Sequence, residues 1–166
     1  RILANQDQHQ WTVDGLDGTG NRSLGLLSHG AMVARRRGSK ILFAAIFRPA
    51  DEILRGYGFF FAEAGKGAWR SCREHRHYHE LRIARPGELE RTTVMLEGRS
   101  KLFFKPPISD LGAAVTTRPS CSSCVAATTV ASGKASALVT VENAPWDNWP
   151  AWLMIQEAGG IVTDWN

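Results

Sequence analysis

Trp11-Thr12-Val13-Asp14-Gly15-Leu16-Asp17-Gly18-Thr19-Gly20-Asn21 is the stretch on which both fold and chemistry turn. Residues 11–13 read as a short apolar strand that runs into two aspartates and then a Gly-Thr-Gly-Asn turn. Aspartates three positions apart cannot share one face of a regular strand. They can converge if the chain turns between them, and Gly15 and Gly18 permit such a turn. Two converging carboxylates repel each other unless a cation sits between them, and their oxygens suit a hard ion such as Mg2+. The NH groups of Gly18, Thr19 and Gly20 lie free in the same turn and could hold an anion. A cation site beside an oxyanion site points to phosphate chemistry. The plain alternative is an Asp/Gly-rich surface turn.

Working outward, 166 residues with 43% hydrophobic content can build one core, so residues 1–166 are expected to form a single domain. No apolar run reaches membrane-spanning length, and no basic-then-apolar leader opens the chain, so no membrane partner is expected. A formal charge of +4 suits anionic substrates and permits weak nucleic-acid contact without requiring it. Three cysteines are too few for a disulfide framework, and a reducing cytoplasm is the simplest setting.

From residue 30 to 48 the pattern predicts a hairpin. Residues 31–34 form one strand, Arg35-Arg36-Arg37-Gly38-Ser39 a solvated tip, and residues 41–47 an apolar returning strand. Residues 49–52 read as a turn or a single helical turn, and residues 57–62 as an aromatic strand. Residues 81–83 and 92–96 read as two short strands, and 100–115 as a helix broken at Pro106-Pro107. His75, His77 and His79 with Cys72 could form a zinc set, but their spacing matches no familiar zinc module. Cys121-Ser122-Ser123-Cys124 has redox-motif spacing and opens an Ala-rich amphipathic helix to about residue 132; no thioredoxin-like β-α-β pattern surrounds it. A strand over 135–142 follows. Asp147 then reads as the N-cap of a helix over 148–158, closed by Gly159-Gly160. Hairpins and helices that alternate irregularly predict an α/β (α+β layered) sandwich with mixed, largely antiparallel sheets.

Residues 14–21 closely resemble the D-P-[IL]-D-G-T-x-N motif of the inositol monophosphatase family, which are Mg2+-dependent, often lithium-sensitive phosphomonoesterases. Gly15 stands where the family usually has proline, and Arg22 where it has an aromatic. Residues 63–69 resemble the family's A-x-x-G-x-G-A-[FW] hairpin. Trp146, Asp147, Ala151 and Glu157-Ala158-Gly159-Gly160 resemble its second motif, W-D-x-[AC]-[GSA]-…-E-A-G-G, with Trp149 and Pro150 in place of small residues.

The resemblance implies that Asp14, the Leu16 carbonyl, Asp17 and Asp147 bind two or three Mg2+ ions. It implies catalytic roles for Asp17 and for Thr19, which would orient an attacking water. Substrate contacts would come from Asp17, Gly18, Thr19, Asp147 and the helix start at Cys121, Ser122 and Ser123. Thr140 aligns with a substrate-binding glutamate of many members, and Glu142, two residues on, could face the same way if the strand continues. A further family glutamate, in an upstream G-E-E segment, lies farther ahead than Arg1 reaches, and Asp7 and Gln8 are too close to Asp14 to replace it. The chain therefore reads as a domain truncated at both ends, weak or inactive alone.

Two function classes follow. The first is a cytoplasmic, homodimeric hydrolase acting on a small phosphorylated sugar or polyol, with nucleic acid not expected as a partner. The second is a catalytically impaired member or fragment serving as a protein- or RNA-binding module.

Overall fold

The computed structural model describes residues 8–51, 56–71, 77–85, 87, 92–98, 101, 103 and 105–164. Strands β1 (His9–Asp17), β2 (Gly30–Arg37), β3 (Lys40–Asp51), β4 (Gly56–Glu63), β5 (Ala68–Ser71) and β6 (Tyr78–Glu80) pair in chain order as one six-stranded antiparallel sheet. Strand β7 (Thr93–Gly98) lies between β8 (Thr116–Pro119) and β9 (Ala137–Val141) in a second sheet whose pairings are all parallel. The helices are α1 (Thr19–Ser23), α2 (Ile108–Ala114), α3 (Ser123–Ala131) and α4 (Pro145–Glu157). The fold is thus the expected α+β sandwich, with the mixture lying between the sheets rather than within either.

Period-two alternation decides the layering. Met32 and Ala34 on β2, Ala44 and Ile46 on β3, and Phe60 and Ala62 on β4 point to one face and meet Cys124, Ala127, Leu153 and Met154 of α3 and α4. On β7, Met95 turns toward Ala126 and Val130 of α3, while Val94 and Leu96 turn the other way onto Ile108 of α2. Helix α3 therefore sits between two sheets. Its run of Ala, Ser and Thr allows close approach on nearly every side, and it is buried almost all round rather than amphipathic.

The other face of the six-stranded sheet is also apolar. Phe43 and Phe47 of β3, Phe59 and Phe61 of β4, and Trp11 of β1 lie there, and the Phe61 ring meets Tyr78 edge-on at 5.5 Å. A sheet apolar on both faces explains why residues 41–47 read as a continuous run. Among the described residues no helix is long and apolar enough to cross a membrane.

Several local expectations are corrected. Arg35, Arg36 and Arg37 belong to β2, because Arg37 pairs with Lys40 and leaves the turn to Gly38-Ser39. Two of these arginines are not merely solvated: Arg35 lies over Trp11 and Arg36 over Trp149. Pro49, Ala50 and Asp51 extend β3 instead of turning; Glu52 lies outside the described residues. Residues 81–83 are irregular, with Leu81 N donating to Ala68 O and Ile83 N to Ala158 O. Among the described residues the α-helix of this stretch begins at Ile108, after Pro106-Pro107. Cys72 and His75 of the zinc alternative lie outside the described residues.

One side chain ties α4 to the sheet. The Glu157 carboxylate accepts the Gly65 N–H at 2.9 Å with Oε1 and the Gly67 N–H at 2.9 Å with Oε2, fixing the β4–β5 turn. Glu157→Gln would set an NH2 against one of those donors. The expected loss is about 2 kcal/mol in urea unfolding, since charge-assisted bonds contribute more than neutral ones; an unchanged midpoint would show the clamp to be idle.

Candidate active site

Asp14 pairs with Met32 and Asp17 with Gly30, and the register between these pairs slips. The bulge displaces Gly15 and Leu16 and lets two aspartates three apart face one point. The Leu16 N–H donates back to Asp14 Oδ1 at 2.9 Å, and Thr19 Oγ1 donates to the Leu16 carbonyl at 2.9 Å. Gly18 then turns the chain with φ 75°, and a Cβ there would lie 2.8 Å from the Ser28 carbonyl oxygen. Glycine is required at that position on both counts.

The third carboxylate comes from α4. Pro145 opens this helix with Ala144 as its N-cap, so Asp147 sits in the first turn and is not the cap. Proline at a helix start needs no N–H partner, which moves the boundary three residues earlier than expected. Carboxylate oxygens of Asp14, Asp17 and Asp147 all lie within 4.8 Å of one another. Among the described residues no Lys or Arg pairs with any of them. Burial first, then the charges of Asp17 and Asp14, push the Asp147 carboxyl up to about 6. A cluster of hard oxygen donors with no counter-charge fits a divalent hard cation.

Asp17 is held from behind. Ser122 Oγ donates to its Oδ2 at 2.6 Å, Cys124 N to Oδ2 at 2.8 Å and Ser123 N to Oδ1 at 3.1 Å. These donors are the N-cap and first N–H groups of α3, which have no intrahelical partners, and the helix dipole favours an anion there. Cys124 packs in the same place; burial, then the Asp17 charge, pushes its thiol well above the ordinary range. A buried thiol raised in this way is a weak nucleophile, and with Cys121 exposed and Cys124 buried this argues against the dithiol reading of residues 121–124.

The structure also brings in residues that sequence reasoning missed. Asn21 Nδ2 donates to the carbonyls of Ser28, Ser120 and Cys121, at 2.7, 2.8 and 3.2 Å, stitching the turn after β1 to the segment before α3. Alternation on β7 puts Glu97 on the α3 side, only 4% exposed and in contact with Ser120 Oγ. Burial is the largest cause raising its pKa. Ser120 Oγ donates toward Glu97 Oε1 and lies 2.9 Å from the Ser122 carbonyl, a second acceptor for the same hydroxyl. An isolated Glu one residue before a glycine gives no sequence signal of this; only the β7 register does.

Of the remaining expected site residues, Gly18 and Thr19 start α1 beside Asp17. Ser122 and Ser123 are buried against Asp17, and Asn143 Nδ2 donates to Ser123 Oγ at 3.1 Å. Cys121 is exposed with φ 53°. Glu142 does not continue the alternation of β9: the strand ends at Val141 and Glu142 turns with φ 55°. Leu16 contributes a carbonyl already bonded to Thr19.

Ser122→Ala removes one of the three donors to a buried carboxylate together with the α3 cap. A loss of about 2 kcal/mol is expected, with Ser122→Thr recovering most of it because the hydroxyl is retained. Equal losses in the two variants, measured by denaturant unfolding, would assign the effect to packing alone.

Comparison with known proteins bears on this arrangement. The inositol monophosphatase family model matches residues 2–166. An inositol-1-monophosphatase from Rhizobium meliloti is 29% identical over 169 residues, covering 98% of this chain and 59% of that relative. The extragenic suppressor protein suhB from Bartonella henselae superposes with a TM-score of 0.80 at 27% identity, over 95% of this chain and 58% of the other. An IMPase/NADP phosphatase complexed with Mg2+ and phosphate shares the fold, with a TM-score of 0.73 at 17% identity, over 96% of this chain and 56% of that one. The chain thus spans somewhat under two thirds of the length of these relatives. With nearly every residue matched and the two sheets superposing on solved members, the chain belongs to the inositol monophosphatase family.

Proposed function

We propose that the protein carrying this chain is a Mg2+-dependent phosphomonoesterase acting on a small sugar or polyol phosphate. The observation that supports this most is the meeting of Asp14, Asp17 and Asp147 within 4.8 Å, without a basic partner among the described residues. The carboxylates and the Leu16 carbonyl would hold two or three Mg2+ ions, by analogy with the structural relative complexed with Mg2+ and phosphate. Bound Mg2+ would neutralise the phosphate, stabilise the departing alkoxide and ease ionisation of the attacking water.

The chain's own groups position the rest. Thr19 Oγ1, which donates to the Leu16 carbonyl, would accept a hydrogen bond from water and hold it in line with the leaving alcohol. The N–H groups of Gly18 and Thr19 would receive a phosphate oxygen. Asp17 and Asp147 would border the substrate, with Cys121, the start of α3 at Ser122 and Ser123, and Glu142 around them, while Ser122 and Ser123 act mainly by fixing Asp17. Lithium sensitivity, a homodimeric state and a cytoplasmic location belong to the same proposal.

The test is phosphate release from a panel of sugar and polyol phosphates, with the longer protein including an upstream G-E-E segment and with this chain alone. The longer protein should turn over only with Mg2+, and Asp14→Asn should lower turnover about a hundredfold or more. This chain should be slower by a similar factor, because it supplies Thr19 without the partnering glutamate. Mg2+-independent release, or none from the longer protein, would overturn the reading.

A further inference from the structure

Away from the carboxylates, a cavity of about 520 Å3 opens between the β2–β3 hairpin, the β4–β5 turn and the second half of α4. Arg36, Lys40, Trp149, Trp152, Ile41 and Leu153 line it. Its volume falls in the range of small-molecule sites. Gln156 lies nine residues beyond Asp147 on α4, so this end of the cavity is about 14 Å from the aspartate along the helix axis. On β1 the same separation appears: Arg36 pairs with Gln10, four residues before Asp14.

The lining combines oriented cations with flat rings. Arg36 is fixed by its Nε–H donating to Gln10 Oε1 at 2.7 Å and by stacking over Trp149 at 4.0 Å. Neither contact neutralises it. Lys40 meets no carboxylate among the described residues. Glu157 is the one carboxylate in the lining, and its oxygens are taken by the N–H groups of Gly65 and Gly67. Trp152 is 40% exposed, and its Nε1–H donates to Gln156 Oε1 at 3.1 Å, which holds the indole in place. A guanidinium and an ammonium, neither ion-paired among the described residues, outnumber the single Glu157 carboxylate and favour a phosphate, and an exposed, pinned indole favours a flat ring stacked on it. Ile41 and Leu153 give such a ring an apolar floor.

From this geometry we infer that the cavity is a second, non-catalytic site for a nucleoside monophosphate, with the phosphate on Arg36 and Lys40 and the base on Trp152. Two of the six tryptophans line the cavity, so binding is read by tryptophan fluorescence. The chain is titrated in EDTA with AMP, adenosine, ribose 5-phosphate and inorganic phosphate. AMP should quench, and each of the other three should bind about tenfold more weakly or worse, because each lacks one half of the recognition. Lys40→Gln and Trp152→Leu, both at exposed positions, should each raise the AMP dissociation constant about tenfold with an unchanged circular dichroism spectrum. Asp14→Asn should leave AMP binding unchanged, which separates this site from the carboxylate cluster and from the proposed phosphatase reaction. No quenching up to ~10 mM AMP, equal binding of ribose 5-phosphate, or AMP binding indifferent to Lys40→Gln and Trp152→Leu would each overturn the inference.

Discussion

Asp147→Asn is expected to stabilise the cation-free chain near neutral pH and, at the same time, to abolish its stabilisation by Mg2+. The two effects share one cause. Burial and the charges of Asp17 and Asp14 raise the Asp147 carboxyl from its ordinary 3.8 to about 6. The folded state therefore holds that proton more tightly than the unfolded state does. Without a cation, this group's contribution to stability falls as pH rises from about 4 to about 6 and stays low above that. The amide carries no charge to repel its neighbours, so the variant's advantage should be present at about pH 7.5 and vanish near pH 4. The Mg2+ response should go the other way. At a hundred times its dissociation constant a ligand stabilises by about 2.7 kcal/mol, on the order of 5 °C in melting temperature for a chain of this size. That rise should grow with pH in the parent chain and be absent in Asp147→Asn. Differential scanning fluorimetry across pH, with EDTA and with Mg2+, measures both arms. An equal Mg2+ shift in parent and variant would take Asp147 out of the cation site.

Gly30→Ala should be the most damaging single methyl group in the first sheet. Gly30 pairs with Asp17 at the start of β2. A Cβ there would lie 2.2 Å from the Phe47 carbonyl oxygen and 2.7 Å from Cys124 Sγ. One obstacle is backbone and the other a buried side chain at the start of α3, so neither can move cheaply. Relief requires β2 to part from β3 or α3 to lift off the sheet, and overpacking of this kind costs about 3 kcal/mol, occasionally more. Because the Cys124 N–H is one of the groups holding Asp17, the cation-induced thermal shift should shrink as well. Gly15→Ala is the control, since a Cβ there meets nothing within 4 Å. Similar melting temperatures for the two variants would refute the steric argument.

The contrast between these sites shows what the chain displays in sequence and what it conceals. The start of strand β1 was legible from the apolar run Trp11 to Val13, although the strand continues through a bulge to Asp17, and Asp147 was legible because an aromatic-Asp pair precedes a glycine-closed helix. That Asp147 joins the other two followed only from the resemblance to the family's two motifs, because its local pattern by itself reads as a helix cap. Strand β8 was missed: Thr116-Thr117-Arg118-Pro119 has no apolar alternation and exists as strand because β7 lies alongside it. The α4 boundary was misplaced because Asp147 is a good cap in isolation, whereas Pro145 starts the helix three residues before the expected position. The arginines of β2 looked like a solvated tip because their partners, Trp11 and Trp149, are distant in sequence. The α3 donors to Asp17 were hidden for the same reason, since hydrogen bonds across about a hundred residues leave no local pattern, and Glu97 because its burial follows only from the β7 register.

The grip of α3 on Asp17 also sets an order of events. A carboxylate buried in a cluster of its own kind would ordinarily keep the surrounding backbone from settling until a metal arrived, as in small domains that fold only when loaded. Here two amides and a hydroxyl already satisfy Asp17, so the chain can assemble first and load second. Chelation should therefore empty the site without unfolding the chain, and the ion becomes an exchangeable reagent rather than a structural rivet.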